Sequence, residues 1–375
     1  MRDFALEVHF SRWEFKARHN LAGSEAEGWL LSELLAMADA EERAAFSDLR
    51  LGYTETFGAP ALRAEIARSY DTVQPDQLLC FAGAEEAIYV AMQVLLAPGD
   101  HAIVLTPNYQ AVETLPLDRC AVTGVPLEQQ RGWELDLDKV RAALLPNTRL
   151  ISINFPNNPT GRILPQAAFA ALADLCREHG IWLFSDEVYR LLERDPTMRL
   201  PQAVDAYERG ISLNVMSKAY GLPSLRIGWL ACRDRSLLIR CERLKHYLSI
   251  CNAGPSELLA LIALKAREPI LARNLAIIDR NLGVLDDFFG EFPALFDWRR
   301  PDGGCVGCVG YLGGDGVETF TARLVEEAGV LLLPASIYRS ELTHVPTDFF
   351  RIGFGRAALP EGIAAWRSWM GRTAH

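Results

Sequence analysis

The chain has 375 residues, of which half are hydrophobic and 23% are charged, and it carries a net charge of −10. A chain of this length can bury one large core and a second, smaller one, so the length predicts two domains. The negative charge argues against non-specific binding to nucleic acid or to an anionic membrane.

The sequence shows no sign of a membrane span or a secretion signal. No apolar run approaches the roughly 18 residues of a membrane span, and residues 1–7 lack the apolar region of a signal peptide. The eight cysteines are scattered, mostly inside apolar runs, which favours buried thiols in a reducing cytoplasm. Cys305 and Cys308 form the one close pair. They have no second ligand pair, so we interpret them as part of a core strand and predict no metal site.

The first 77 residues show a few separate elements. Residues 1–22 mix aromatic and charged side chains and predict an arm or a short helix. Apolar periodicity predicts a helix over Trp29–Ala40. A glycine-punctuated loop follows at 51–58, and a helix with proline in its first turn is predicted over Pro60–Tyr70.

From residue 78 onward, short apolar runs alternate with amphipathic segments. The pattern predicts strands at 78–81, 101–106, 148–155, 181–186, 211–216 and 226–231 and helices at 84–96, 135–144, 166–179, 258–265 and 271–289. Such alternation predicts an α/β fold with a mostly parallel, seven-stranded type of sheet sandwiched by helices. Beyond residue 296, short strands and helices predict a smaller α+β region. We predict a large domain over residues 45–285 and a small domain built from both termini, residues 1–44 and 286–375.

Polar, aromatic and small residues follow the predicted strands. In parallel sheets, ligands bind at the carboxyl ends of the strands, so these residues are candidates for one site. In chain order they are Gly83, Ala84 and Glu85, where a helix start favours an anion; Tyr109, which could stack on a planar ring; Asn158; Asp186 and Tyr189; and Ser217, Lys218 and Arg226.

Lys218 is the chemically most informative of these residues. Its neighbours are small and apolar, which favours the neutral amine that attacks an aldehyde. Ser217 and Arg226 supply a hydroxyl and a guanidinium for an anion such as phosphate. Asp186 ends a buried strand and is expected to have a cationic partner, since an unpaired buried carboxylate is costly. Together these groups are those that pyridoxal phosphate (PLP) needs.

The same motifs resemble those of the class I/II aminotransferases, which are PLP enzymes of fold type I. The matching segments are Asn158-Pro159-Thr160-Gly161, Asp186-Glu187-Val188-Tyr189, and Ser217-Lys218 followed by Arg226. The resemblance extends from about Gly23 to Arg351. It implies an enzyme that moves an amino group between an α-amino acid and a 2-oxo acid through a Schiff base on Lys218.

The resemblance also implies a role for each matched residue. Lys218 holds PLP and moves the Cα proton, while Asp186 pairs with the pyridine nitrogen. Asn158 and Tyr189 bind the phenolate oxygen, and Tyr109 stacks on the ring. The phosphate is bound at Gly83, Ala84 and Glu85 and by Ser217 and Arg226.

Three further positions follow from the same resemblance. Tyr53 matches a tyrosine that reaches the phosphate in the neighbouring subunit, which implies a homodimer with shared active sites. Arg351 matches the arginine that binds the substrate α-carboxylate through two parallel hydrogen bonds. Gly23 and Asn158 are also expected beside the substrate.

The departures from the family pattern leave two questions open. Val215 stands where the family usually has serine or glycine, so Ser217 or a backbone group must compensate in the phosphate site. The aromatic N-terminal stretch, including Trp13 and Phe15, either lines the substrate entrance or packs on the large domain. Its aromatic character favours a neutral or aromatic substrate. A dicarboxylate substrate would need a second arginine to bind its side-chain carboxylate, and the candidates Arg12, Arg18 and Arg243 do not lie in a recognisable motif.

A second reaction class uses near-identical motifs on this fold. A PLP-dependent lyase or cyclising enzyme would eliminate or replace a β- or γ-substituent, and the fold alone does not decide between the two. A non-catalytic regulator would need a DNA-binding extension or a lost lysine, and the sequence has neither.

Overall fold

The computed structural model describes residues 2–373 of the chain. Its helices are α1 (Ala5–Trp13), α2 (Leu31–Ala36), α3 (Ala40–Ser47), α4 (Pro60–Ala67), α5 (Ala84–Leu95), α6 (Ala111–Leu117), α7 (Leu137–Ala142), α8 (Gln166–His179), α9 (Ala203–Ala206), α10 (Arg235–Lys245), α11 (Gly254–Lys265), α12 (Arg267–Glu291), α13 (Val317–Arg323) and α14 (Leu359–Thr373). Its strands are β1 (His19–Asn20), β2 (Leu78–Phe81), β3 (His101–Thr106), β4 (Ala121–Pro126), β5 (Thr148–Asn154), β6 (Trp182–Asp186), β7 (Gly210–Val215), β8 (Gly228–Cys232), β9 (Phe296–Trp298), β10 (Val306–Tyr311), β11 (Val330–Leu331), β12 (Leu333–Pro334) and β13 (Phe349–Gly353).

The large sheet has seven strands in the order β2-β8-β7-β6-β5-β3-β4. Neighbouring strands are parallel except at β8, which is antiparallel to both β2 and β7. Strands β3 and β6, which both lie inside the sheet, are buried at every position, as expected for a sheet that helices cover on both faces. The predicted α/β architecture with a mostly parallel, seven-stranded sheet is therefore confirmed.

Two smaller sheets lie towards the C-terminal part of the chain. The order β12-β13-β10-β9 forms an antiparallel sheet, and β13 carries Arg351 opposite Cys308 and Leu333. Strand β1 pairs in parallel with β11, so the N-terminal arm joins the C-terminal region through His19 and Val330. The domain boundaries at residues 45 and 285 stay a prediction.

The sequence prediction was wrong in one place and incomplete in others. The helix predicted over Trp29–Ala40 is shorter and ends at Ala36 as α2, and the unpredicted α3 follows, capped by Asp39, which accepts a hydrogen bond from the Glu42 backbone at 2.8 Å. Helices α6, α9 and α10 and strand β4 were missed. Strand β4 is an edge strand that contains Gly124 and ends at Pro126.

The described residues contain neither a helix long and apolar enough to cross a membrane nor a disulfide. All eight cysteines are free thiols, and no described helix meets the length and hydropathy of a membrane span. Cys305 is buried, and Cys308 lies within β10. The pair is therefore part of the core strand segment that the sequence predicted.

Candidate active site

A cavity of about 460 Å³ opens at the carboxyl ends of the large sheet. This volume lies within the range that is common for small-molecule sites. Ten of the predicted residues form part of its wall: Gly23, Ala84, Glu85, Tyr109, Asn158, Asp186, Tyr189, Ser217, Lys218 and Arg226.

The strand register explains why residues so distant in sequence meet here. Asn154 at the end of β5 lies opposite Asp186 at the end of β6, and Asp186 lies opposite Leu213 in β7. Strand β8 runs the other way, so Gly228 at its start pairs with Val215 at the end of β7. The loops that carry Asn158, Tyr189, Lys218 and Arg226 therefore leave the sheet at one edge.

Lys218 lies in this cavity with its amine close to a hydroxyl. Its Nζ donates a hydrogen bond to Ser24 Oγ at 2.7 Å and lies 6.0 Å from the centroid of the Tyr189 ring. Burial lowers the pKa of Lys218 below its usual range, while the nearby Glu25 carboxylate acts in the opposite direction. Burial therefore favours the neutral, nucleophilic amine.

Asp186 is a buried carboxylate on the cavity wall. Its side chain is 4% exposed and accepts a hydrogen bond from the Val188 backbone at 3.2 Å. Burial raises the pKa of Asp186 to about 6, and Lys218 favours the charged form from a distance. No described residue forms an ion pair with Asp186, so the cationic partner expected from the sequence is left for a ligand to supply.

Asn158 lies between the cavity and Arg351. Its Oδ1 accepts a hydrogen bond from Arg351 Nη1 at 3.0 Å, and its backbone N–H donates to Asn154 Oδ1 at 2.7 Å. Arg351 is fully buried and lies behind the wall, where it also donates to the Ala22 carbonyl. Its Nε has no hydrogen-bond partner among the described residues, which leaves a donor for an anion.

Tyr189 fixes the segment that carries Ser24. The Tyr189 hydroxyl donates to the Ser24 carbonyl at 3.0 Å, and burial raises the pKa of this phenol well above its usual value. Tyr189 is therefore a neutral hydrogen-bond donor at physiological pH.

The other end of the cavity can bind an anion. Helix α5 begins at Ala84, after Gly83 at φ 92°, and a side chain at Gly83 would collide with Arg226, whose Nη2 lies 2.2 Å from the position of a Cβ atom. Ser217 is buried, and its Oγ has no partner among the described residues. Ser217 and Val215 both line the cavity, so Ser217 supplies a hydroxyl near the place where Val215 lacks one.

Glu85 and Tyr109 lie together on the wall between these two ends. Burial raises the pKa of Glu85 to about 7, the hydrogen bond from Tyr109 opposes this rise, and the negative charge of Glu7 adds to it. Tyr109 packs edge-on against Phe4 at 5.2 Å between ring centroids. This leaves Tyr109 on the wall of the cavity, as a ring-stacking residue requires.

Three predicted residues do not line the cavity in this single chain. Gly83 directly precedes the lining residue Ala84, and Arg351 donates a hydrogen bond to the lining residue Asn158. Tyr53 is 91% exposed, as expected for a side chain that reaches a neighbouring subunit, and its role stays a prediction.

Sequence reasoning missed several wall residues. Ser24 and Glu25 follow Gly23, and Asn154 and Val188 lie beside the motifs already identified. One face of α1 also lines the cavity through Phe4, Glu7, Phe10 and Glu14. The sequence left open whether the aromatic N-terminal stretch lines the substrate entrance or packs on the large domain. Residues 4–14 line the cavity in part, whereas Trp13 and Phe15, the two aromatic residues named for this role, do not line it.

The residues present fit PLP on grounds of chemistry. The cavity offers an amine at Lys218 whose pKa is lowered by burial, and a buried carboxylate at Asp186 that no described residue pairs with. It also offers an unpartnered hydroxyl at Ser217 and a guanidinium at Arg226 beside a helix start. These are groups for an aldehyde, a pyridine nitrogen and a phosphate.

Comparison with known proteins agrees with this chemistry. The family model of aminotransferase class I and II matches residues 26–362. The arginine–pyruvate transaminase of Pseudomonas aeruginosa is 32% identical over 299 residues, which are 76% of this chain and 74% of that protein. The capreomycidine synthase of Streptomyces vinaceus is 28% identical over 94% of this chain and 89% of its own length.

Solved structures give the same result. The crystal structure of a PLP-dependent aminotransferase from Streptococcus suis has a TM-score of 0.92 and 30% sequence identity, covering 99% of this chain and 98% of that one. The chain therefore belongs to the class I and II aminotransferases, and it is a PLP-dependent enzyme that transfers an amino group between an α-amino acid and a 2-oxo acid.

Proposed function

We propose that the cavity at the strand ends is the site of amino transfer and that Lys218 is its central residue. The observation that carries this proposal is the Lys218 amine, which burial moves towards its neutral form in the same cavity as the unpaired Asp186 carboxylate. A neutral amine is suited to hold an aldehyde cofactor and to accept a proton.

The surrounding side chains would hold PLP. Asp186 would pair with the pyridine nitrogen, and Asn158 would donate to the phenolate oxygen. Tyr189 would also donate there once its single hydroxyl proton leaves the Ser24 carbonyl that accepts it in this structure. Tyr109 would stack on the ring. Ser217, Arg226 and the backbone from Gly83 to Glu85 would bind the phosphate. When bound, PLP withdraws electrons from the substrate Cα and so weakens its bond to hydrogen.

The protein side chains then orient the substrate and move its proton. Arg351 binds the α-carboxylate through its guanidinium, whose Nε has no partner, and Gly23 and Asn158 lie beside this position. Lys218 would accept the Cα proton at Nζ and deliver it to the cofactor within the same half-reaction, and the second half-reaction would run this transfer in reverse. The hydroxyl of Ser24, 2.7 Å from Nζ, keeps the lysine directed into the cavity.

Single half-reactions test the assignment. The purified PLP-loaded enzyme is mixed with an amino acid in the absence of a 2-oxo acid. We expect one equivalent of oxo acid per site and conversion of the cofactor to pyridoxamine phosphate, after which turnover stops. Continued release of product without an oxo acid would contradict the proposal.

The same experiment addresses a second candidate reaction. The similarity to a capreomycidine synthase over 94% of the chain favours a cyclising enzyme as that candidate. A cyclising enzyme or a lyase regenerates PLP in each cycle and therefore continues to turn over without an oxo acid.

For the second half-reaction, pyruvate is the oxo acid to try first as amino acceptor, because a relative is an arginine–pyruvate transaminase.

We further propose a homodimer that shares its active sites through Tyr53 and functions in the cytoplasm. The exposed Tyr53 side chain supports the first part, and the eight free cysteines suit a reducing compartment. Mixing Lys218→Ala and Tyr53→Ala proteins tests the shared site, because only a hybrid dimer contains one site with both residues. Recovery of up to about a quarter of the activity, from half the dimers with one good site each, is the expected result.

A further inference from the structure

We propose that the active site takes an amino acid whose side chain ends in a cation, a guanidinium or an ammonium group, which Glu7 and Glu14 of the N-terminal segment bind. This inference rests on the proposed function, because it assumes that the cavity at the strand ends is the substrate site. It names the charge of the substrate side chain, which the family resemblance leaves open.

Helix α1 presents one face to the cavity. Phe4, Glu7, Phe10 and Glu14 all line it, at spacings of three, three and four residues that place side chains on one side of a helix. Glu14 follows the last residue of the helix but keeps helical dihedral angles, with φ −52° and ψ −43°. The face therefore combines two aromatic rings with two carboxylates.

The position of this face is fixed by contacts with Gln110 and Asp118, the residues that flank α6. The Ala5 backbone N–H donates to Gln110 Oε1 at 2.9 Å, and Gln110 Nε2 donates to the Asp3 carbonyl at 2.7 Å. Arg2 forms an ion pair with Asp118 at 2.8 Å. These contacts hold the start of α1 next to Tyr109, so its acidic face lies over the proposed substrate position.

The cations of the cavity are already assigned to other partners. Lys218 and Arg226 line the wall and serve the cofactor, and Arg351 behind it serves the α-carboxylate. Arg356 pairs with Glu25, its Nε donating to Oε1 at 2.6 Å. No cationic side chain of the described residues pairs with Glu7 or Glu14.

The carboxylates of this wall affect one another. Burial raises the pKa of Glu14, and the nearby Glu25 and Glu7 add to the rise while Arg356 opposes it. Separately, the Oε2 atom of Glu85 is buried without any hydrogen-bond partner among the described residues. A cationic ligand would relieve this repulsion and satisfy these acceptors, whereas an anionic side chain would add to it.

The aromatic residues of the face complete the match. Phe4 and Phe10 provide apolar contact for the methylene groups of a long side chain, and the carboxylates receive its charged end. The sequence suggested a neutral or aromatic substrate because the aromatic residues were prominent. The fold places Glu7 and Glu14 on the same side as those rings, and this changes the preferred class of side chain.

The test compares donors of equal size that differ in charge. The first half-reaction of the PLP-loaded enzyme is measured with L-arginine against L-citrulline and with L-lysine against L-2-aminoheptanoate, in which a methyl group replaces the ammonium group. We expect kcat/KM to be at least about tenfold higher for the cationic member of each pair, the value of one charge-assisted hydrogen bond. In the Glu7→Gln, Glu14→Gln double variant this ratio is expected to fall towards one.

Asp3→Asn is the matched control. It removes a negative charge from the same exposed segment at a residue that does not line the cavity, so the wild-type ratio should persist. If Asp3→Asn lowers the ratio of kcat/KM values as much as the double variant does, the selectivity comes from general electrostatic attraction and not from contact with Glu7 and Glu14. That result would overturn the inference.

A binding measurement separates this inference from the proposed function. Calorimetric titration of the loaded enzyme with 5-guanidinopentanoate and 5-ureidopentanoate, which lack the reacting amine, should show tighter binding of the guanidino acid. Equal binding, or equal conversion of cationic and neutral donors, overturns the inference alone. Failure of every donor to convert, together with selective guanidino binding, overturns the proposed function and leaves the acidic site supported.

Discussion

The cavity has a strand-end wall, which includes Asn158 and Asp186, and a helical wall, which includes Glu7 and Glu14 of the α1 segment. The two walls differ in how their polar groups are held in place. At the strand ends, Asp186 is buried, and Asn158 is fixed by hydrogen bonds to Asn154 and Arg351. On α1, Glu7 is exposed and Glu14 is half-buried, and neither has an ion-pair partner among residues 2–373. The first wall is fixed by the sheet, while the second lies on one short helix.

We expect the two walls to control different properties of the enzyme, the rate and the substrate selectivity. Groups in a rigid, low-dielectric environment can hold a cofactor and set the protonation of its partners. Groups at the entrance act on whichever side chain the substrate carries, and one helix can change without disturbing the sheet. We therefore expect large losses of rate from the strand-end wall and losses of selectivity from α1.

The largest expected effect comes from replacing Lys218 in the strand-end wall. The Lys218→Ala variant should lose the visible absorbance of the cofactor–lysine imine and lower the rate of amino transfer by about 10⁴-fold, because one residue holds the cofactor and moves the proton. Stopped-flow spectroscopy of the half-reaction measures the rate. Lys16→Ala, on the exposed N-terminal segment, is the control, and normal turnover of Lys218→Ala would refute the assignment.

Replacing Arg351, which we propose binds the substrate α-carboxylate, should lower the activity less. Arg351→Lys keeps the positive charge but loses the two parallel hydrogen bonds, so kcat/KM should fall by about a hundredfold for every amino donor. Steady-state kinetics with a cationic and a neutral donor measure this, and Arg339→Lys at an exposed site is the control. A loss confined to the cationic donors would show that Arg351 does not bind the α-carboxylate.

Asp186 allows the same wall to be tested through stability. In the cofactor-free protein, burial raises the pKa of Asp186 from 3.8 to about 6. A raised carboxyl pKa means that the folded state holds the proton more tightly than the unfolded state, so this group lowers stability as pH rises from about 4 to about 6. The difference corresponds to about 3 kcal/mol at neutral pH.

The variant Asp186→Asn should therefore unfold at a higher denaturant concentration than the cofactor-free wild type at pH 7.5, with a smaller difference at pH 5. Urea unfolding at the two pH values measures this, and the other titrating groups cancel in the comparison. The same variant should have lower activity when loaded with PLP. A variant that is less stable than wild type at both pH values would contradict the proposed environment of Asp186.

The smallest expected effect concerns the helical wall. Raising the NaCl concentration from about 0.05 to about 0.5 M should increase KM for a cationic donor by a few-fold, because Glu7 is exposed and salt screens exposed charges. The KM of a neutral donor of the same size should change little. An equal response of both donors would remove the distinction between the two walls.

The motifs predicted much of the strand-end wall because the chemistry of each residue is local. Lys218, Asp186 and Asn158 follow buried strands, and in a parallel sheet the ends of such strands lie at one edge. Strand β4 and helix α6 escaped prediction because proline and glycine interrupt their patterns. The spacing of Asp39 and Glu42 is that of a capping box and marks the start of α3. The apolar periodicity of the preceding residues nevertheless predicted a helix that continues to Ala40.

The sequence by itself determined the α/β class, the lysine and its main partners, because hydrophobic periodicity and residue chemistry are properties of short segments. Only the tertiary structure decided that α1 lines the cavity, that Ser24 lies 2.7 Å from Lys218 Nζ, and that Asp186 forms no ion pair with another described residue. The contact between Ser24 and Lys218 joins residues 194 positions apart, and the docking of α1 depends on Gln110 in the large sheet region. No local pattern records such distances, since they arise from the packing of the N-terminal segment over the sheet edge.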